Sequence, residues 1–178
     1  MCNIGRTFSF LIPVIGLTAL FIVLAGCGSQ EKGKVEKLKT LEEKNKDFIR
    51  ANTEDFWNKQ NIAAYDKYYA TDFIIHHADG DQNREQDKKL CQAFFTAFPD
   101  LHFTLDDLVA EGDQVALVWT ANCTHKGEFM GIPATGKRIE FKGIDVYRIA
   151  DGKIAEVWAS MDNLGMMQQL GVIPPMGE

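Results

Sequence analysis

Between residues 41 and 57 the large apolar side chains fall on one side of a helix. Leu41, Phe48, Ile49, Phe56 and Trp57 recur at helical spacing, with charged and polar residues filling the positions between them. The spacing predicts a long amphipathic helix that begins in a polar stretch upstream and ends near Gln60-Asn61. A second short helix follows over 62–69. The β-branched and aromatic run Phe73-Ile74-Ile75-His76-His77 reads as a short strand. Over 83–98, Leu90, Phe94, Phe95 and Phe98 line one side with charges opposite, a third helix stopped by Pro99.

After Pro99 the period drops to two. Four strands are predicted over 101–111, 114–126, 138–149 and 153–161, with Gly112-Asp113 and Asp151-Gly152 marking hairpin turns. Residues 127–137, with two early glycines and Pro133, form a longer loop. A final short helix spans 163–170, and Gly171 is placed to end it. Helices first and an antiparallel meander afterwards make an α+β fold, in which a bent sheet closes its apolar face over the helices and leaves a blind pocket at its open end.

The first 26 residues do not belong to this pattern. Arg6 is their one charged side chain, and an apolar run from Phe8 to Leu24 follows, interrupted by Pro13 and Gly16. That is the outline of a secretion signal. It ends in Leu24-Ala25-Gly26-Cys27, which resembles the lipobox of bacterial lipoproteins. The resemblance implies cleavage before Cys27 and a lipid on its thiol; an uncleaved membrane-spanning anchor is the alternative, and both readings put the domain on a membrane outside the cytoplasm. The organisation expected is a signal peptide over 1–26, a Lys/Glu/Gly/Ser-rich tether over 27–46 that buries too little to order itself, and one domain over 47–178, a length that suits a single core.

Composition narrows the chemistry. With 19 Lys and Arg against 25 Asp and Glu the chain is acidic and has no basic stripe, so nucleic acid is excluded as a partner. Of the four cysteines, Cys2 leaves with the leader and Cys27 is the lipidation site. Cys91 and Cys123 remain, read as two small buried thiols, with a disulfide as the alternative. His76, His77 and His125 show no ligand-pair spacing, so no metal is expected. There is no nucleophile elbow and no phosphate loop. Twelve Phe, three Trp and four Tyr suit a pocket for a hydrophobic small molecule, and suit an ordinary core equally.

Several separated motifs occur in order: Phe98-Pro99-Asp100-Leu101, the stretch from Thr124-His125-Lys126-Gly127 to Gly136, Tyr147-Arg148 with Asp151-Gly152-Lys153-Ile154, and Gln169-Leu170-Gly171. Together, from about Asn52 to Gly171, they resemble the SnoaL-like polyketide cyclases, or ester cyclases, of the NTF2-like superfamily. The resemblance implies a cone-shaped barrel with a deep apolar pocket, a homodimer formed through the outer face of the sheet, and intramolecular aldol closure by an aspartate near the end of the last strand, without cofactor. The residue that corresponds to this aspartate looks like Asp162. Many relatives carry an Asp directly after the tryptophan of that strand, where this chain has Ala159.

Strand alternation puts Glu156, Trp158, Ser160 and Asp162 on one face, which would seat the Asp162 carboxyl beside the Trp158 indole in the pocket and raise its pKa by desolvation; equally, Asp162 caps the helix that starts at Asn163. His76 and His77 point to opposite faces, so one of them can orient a substrate oxygen and the other is solvated. His125 ends the apolar stripe Val115, Leu117, Trp119, Ala121, Cys123, either at the pocket rim or held by a core hydrogen bond. Arg148 either meets an anionic group or pairs across the sheet. Two functions follow: a cofactor-independent cyclase, isomerase or hydrolase acting through Asp162 on an apolar carbonyl compound, or a non-catalytic module that binds a hydrophobic small molecule or a partner protein.

Overall fold

The computed structural model describes residues 20–174, with side chains from Gln30 onward; residues 1–19 of the expected leader and the Cys27 thiol lie outside what is described. The chain divides into two units, 1–38 and 39–178. Among the described residues no helix is long and apolar enough to cross a membrane.

Helix α1 covers Leu20–Asn52 and passes into a π-helical turn over Thr53–Asn58. A 3-10 turn at Ile62–Ala64 leads into the single turn α2, Tyr65–Tyr68. Strands β1 (Tyr69–His77) and β2 (Gly80–Asn83) precede helix α3 (Arg84–Ala97). Then come β3 (His102–Glu111), β4 (Gln114–Thr124), β5 (Arg138–Ala150) and β6 (Lys153–Met161), and helix α4 (Asn163–Leu170). The six strands form one sheet in the order β2-β1-β6-β5-β4-β3.

Local chemistry explains the element ends. Asn83 closes a capping box with Gln86, so α3 starts where the side chains satisfy its free amides. Asp151 and Gly152 both have positive φ, 49° and 72°, the backbone a two-residue hairpin turn requires between β5 and β6. Gly171, at φ 82°, ends α4 in the left-handed conformation.

Two features differ from expectation. The sheet is mixed: β1 runs parallel to β6, with Ile75 opposite Val157 and His76 opposite Trp158. The edge strand β2, Gly-Asp-Gln-Asn, has no apolar residue to betray it and exists by pairing with β1. The rest of the meander follows the period-two pattern, and the stripe Val115, Leu117, Trp119, Ala121, Cys123 and His125 is buried as a row.

The concave face holds the core. Phe56, fully buried, sits edge-on or tilted to Trp57, Tyr65, Tyr69 and Phe95 with centroids 5.0–5.6 Å apart, the offset geometry aromatic pairs favour. At the other end Phe94, Phe98 and Phe129 form a second cluster. Cys91 and Cys123 are free, buried thiols.

Candidate active site

The sheet, α3 and the π-helical turn line a cavity of about 420 Å³, in the range of small-molecule sites. Its walls are mostly apolar. Thr53 and Trp57 reach it from the π-helical turn, Leu90 and Phe94 from α3, Leu117 and Trp119 from β4. π-turns inside helices mark functional positions in many proteins, since they re-aim side chains by one residue; here the turn directs Thr53 and Trp57 inward.

Two carboxyls line this apolar space. Asp145 stands on β5 in the inward stripe Ile139, Phe141, Gly143, Asp145, Tyr147, Ile149. Its Oδ2 accepts from the Trp119 indole N–H at 2.9 Å and from the Tyr147 hydroxyl at 3.1 Å, which leaves Oδ1 without a side-chain donor. Burial disfavours its charged form more than these donors and the backbone at Ser160 restore it, so its pKa is pushed up to about 7. The half-exposure it retains opens on the cavity it lines. Gly143 makes the arrangement possible: a Cβ there would overlap the Trp119 ring and the Ser160 carbonyl.

Asp87 enters from α3, four residues before Cys91 and seven before Phe94, and is 5% exposed. Its Oδ2 accepts from the Tyr65 hydroxyl at 2.6 Å, and the Cys91 sulfur lies 3.9 Å from either oxygen. Burial raises its pKa, while the Tyr65 hydrogen bond and the nearby charge of His77 act the other way. The buried hydroxyls of Tyr69 and Tyr147 are held well above their ordinary pKa, first by burial, then for Tyr69 by Cys91 and Asp87 and for Tyr147 by Asp145. They therefore stay protonated, and the Tyr147 hydroxyl donates to Asp145.

The residues singled out in the sequence divide. His77 and Trp119 line the cavity. His76 does not: it faces outward, stacked on Trp158 at 4.9 Å, with Nδ1 2.9 Å from Asp81. Trp158 was expected in the pocket and is 39% exposed on the outer face, because Val157, Ala159 and Met161 are the residues of β6 that turn inward. The face expected for Asp162 is corrected in the same way. It is exposed, does not line the cavity, and accepts from the Gly165 amide at 2.8 Å as the cap of α4. Arg148 also lies outside the cavity lining, paired with Glu156 at 2.6 Å. His125 is fully buried yet outside the cavity lining, stacked on Phe98 at 5.1 Å with Nδ1 accepting from the Thr135 amide; it fastens the 127–137 loop to the core.

Asp145 and Asp87 were missed, although each leaves a sequence signal: a carboxylate inside a period-two apolar stripe, and one at helical spacing from Leu90, Cys91 and Phe94. Asp145 pairs directly with Ala159 across the β5–β6 ladder. Directly opposed Cβ atoms lie about 5 Å apart. The Asp145 carboxyl therefore emerges beside position 159 of the last strand.

A curved sheet closed over helices, with an apolar cavity lined by one buried and one half-buried acid, defines a small-molecule pocket protein of the NTF2-like class. The family profile of the SnoaL-like polyketide cyclases matches residues 48–170, and the chain belongs to that family. Among solved structures it is similar to IdmH from Streptomyces antibioticus, assigned as a polyketide cyclase, at 34% identity over 71% of this chain and 98% of that one with a TM-score of 0.62. It is also similar to AclR from Streptomyces galilaeus, assigned as a hydroxylase, at 28% identity over 77% and 87% with a TM-score of 0.71. TsrD from Streptomyces laurentii matches at 28% identity over 74% and 95%, TM-score 0.62. No curated protein matches the chain.

Proposed function

We propose that the protein is a cofactor-independent enzyme of cyclase or isomerase type whose general acid/base is Asp145, acting on an apolar carbonyl compound held in the cavity. The observation that carries this reading is a carboxyl with its pKa near 7 lining an apolar cavity with one oxygen free of side-chain donors. A group poised there is part ionised at neutral pH, so it can both take and return a proton. Asp145 accepts a proton from the carbon next to the carbonyl; the C–H bond breaks and its electron pair passes into the enolate. In ring closure the enolate carbon attacks a second carbonyl of the same molecule, and the new alkoxide takes the proton back from Asp145. In isomerisation the proton returns to a different carbon. Trp119 and Tyr147 fix the carboxyl throughout, and the apolar walls exclude water.

Asp145→Asn is expected to lower kcat/KM by 10²–10⁴-fold, the range general acid–base catalysis supplies, with ligand affinity kept. A variant that turns over as fast as the parent would remove Asp145 from the chemistry. A domain that binds a compound without ever converting it, in parent and variant alike, would instead be a binding module.

The lipobox-like sequence before Cys27 supports a tethered, extracytoplasmic lipoprotein; Cys27→Ala would then leave the membrane fraction, and unchanged membrane association contradicts it. The outer face supports a homodimer. Val109, Ala116, Val146, Trp158 and His76 form one row across five strands, and Val118 and Ile144, beside it, are 37% and 53% exposed. Such a patch is commonly covered, so Ile144→Glu should shift a sedimenting dimer to monomer; equal sedimentation of both proteins contradicts the dimer.

A further inference from the structure

Among the described residues no cationic side chain is bonded to the buried acid Asp87. Two stand within a turn of it on α3, Arg84 three residues before and Lys88 one after, and both pair with Asp66 instead. The partners of the Asp87 carboxyl are the Tyr65 hydroxyl and, at 3.9 Å, the Cys91 sulfur. His77 faces the same cavity from β1 and makes no hydrogen bond or ion pair with it. Outer acids are treated differently: Asp55 pairs with Lys67, Asp66 with Arg84 and Lys88, and Glu156 with Arg148. Buried carboxylates are rarely left without a cation, and a carboxylate has room for several donors. Asp87 lines the cavity, so the 5% of its surface that stays accessible opens there. The same lining holds Asp79, from the β1–β2 turn, and Asp145, and no Lys or Arg. A concave space walled by one sign of charge concentrates ligands of the other sign. Rings in its wall, among them Trp57, Tyr69 and Trp119, add the attraction of aromatic faces for ammonium groups.

We infer that Asp87 anchors a protonated amino group, so that the ligand of this cavity is an apolar compound carrying one basic nitrogen. For the ligand's carbonyl the inference rests on the Asp145 reading; for its amine it stands on Asp87 alone. Until a cation arrives, burial favours the protonated form of Asp87. As the ammonium enters, the carboxyl gives its proton to solvent, Oδ2 keeps the Tyr65 hydrogen bond and Oδ1 accepts from the N–H of the ammonium. The charges balance, since one cation replaces another. Burial holds the Tyr65 hydroxyl and the Cys91 thiol above their ordinary pKa values, so neither adds a competing negative charge, and Tyr65 keeps the carboxyl in place throughout. A carboxylate or phosphate on the same ligand frame would meet three acids and no counter-charge, and is rejected. With its amine at Asp87 and its carbonyl at Asp145, the ligand is held at two points, which orients the C–H bond that Asp145 attacks.

The test titrates three probes on one frame into the purified protein: 2-naphthylmethylamine, cationic at neutral pH, 2-methylnaphthalene, neutral, and 2-naphthoate, anionic. The parent is expected to bind the amine at least tenfold more tightly than 2-methylnaphthalene, and the naphthoate at least tenfold more weakly. Calorimetry in two buffers of different ionisation enthalpy should show protons released on binding the amine and none on binding the hydrocarbon. Asp87→Asn should bring the amine down to the affinity of 2-methylnaphthalene and abolish the proton release. It should bind 2-methylnaphthalene as the parent does, which shows that its cavity is intact. Asp145→Asn should keep the preference for the amine. Equal affinity of the parent for all three probes would overturn the ammonium site, and the Asp145 reading, a claim about turnover, would stand. Loss of the preference in Asp145→Asn with retention in Asp87→Asn would overturn it as well, by placing the amine on the other acid. If no probe bound the parent, both readings would fall.

Discussion

At the scale of single residues the account turns on two aspartates with opposite surroundings. Asp145 lies in an apolar stripe with two side-chain donors on one oxygen; Asp162 lies in water with a helix end to cap. Burial pushes the first up to about 7, the range suited to proton transfer near neutral pH, while the second is committed to its cap outside the cavity. Asp162→Ala should therefore cost about 1 kcal/mol, the loss of a cap, read as a modest fall in thermal midpoint with kcat/KM kept. Loss of turnover beyond that expected from unfolding would return the chemistry to Asp162. In the sequence the indole of Trp158 outweighed its polar neighbours Glu156 and Ser160, though it is those neighbours that mark the outward face.

At the scale of elements the period-two pattern was enough to place β3 to β6 and to bury the β4 stripe, because one-sided burial writes itself into alternate positions. The parallel pairing of β1 with β6 was not legible: alternation fixes which face a strand buries and says nothing about which distant strand it meets. β2 has no hydrophobic signal at all. Candidate sites suffered in the same way, since Asp145 and His77 come together only through strand order. The β4–β5 ladder is where the site is most tightly specified, with Trp119 opposite Gly143. Gly143→Ala forces the indole off that strand, so it should break the Trp119–Asp145 hydrogen bond and lower activity at least tenfold. The loss would be accompanied by altered Trp fluorescence; an active Gly143→Ala with native fluorescence would show that the close approach is not needed.

At the scale of the whole molecule, a cavity of this kind sets chemical readiness against stability. Asp145 binds its proton more tightly folded than unfolded, so the folded state is favoured below the ordinary carboxylate range and loses that advantage as pH rises through the window from about 4 to about 7. Asp87, also raised by burial, acts in the same direction. Active sites commonly carry such a stability cost because the apolar wall that raises the pKa is the wall that receives the ligand. The central claim is that the Asp145 carboxyl is the proton-transfer group of this cavity, and a ¹³C-carboxyl NMR titration of Asp145, assigned by its loss in Asp145→Asn, tests it most directly. A midpoint near 7 is predicted; a midpoint near 4, that of a carboxyl in water, would contradict it.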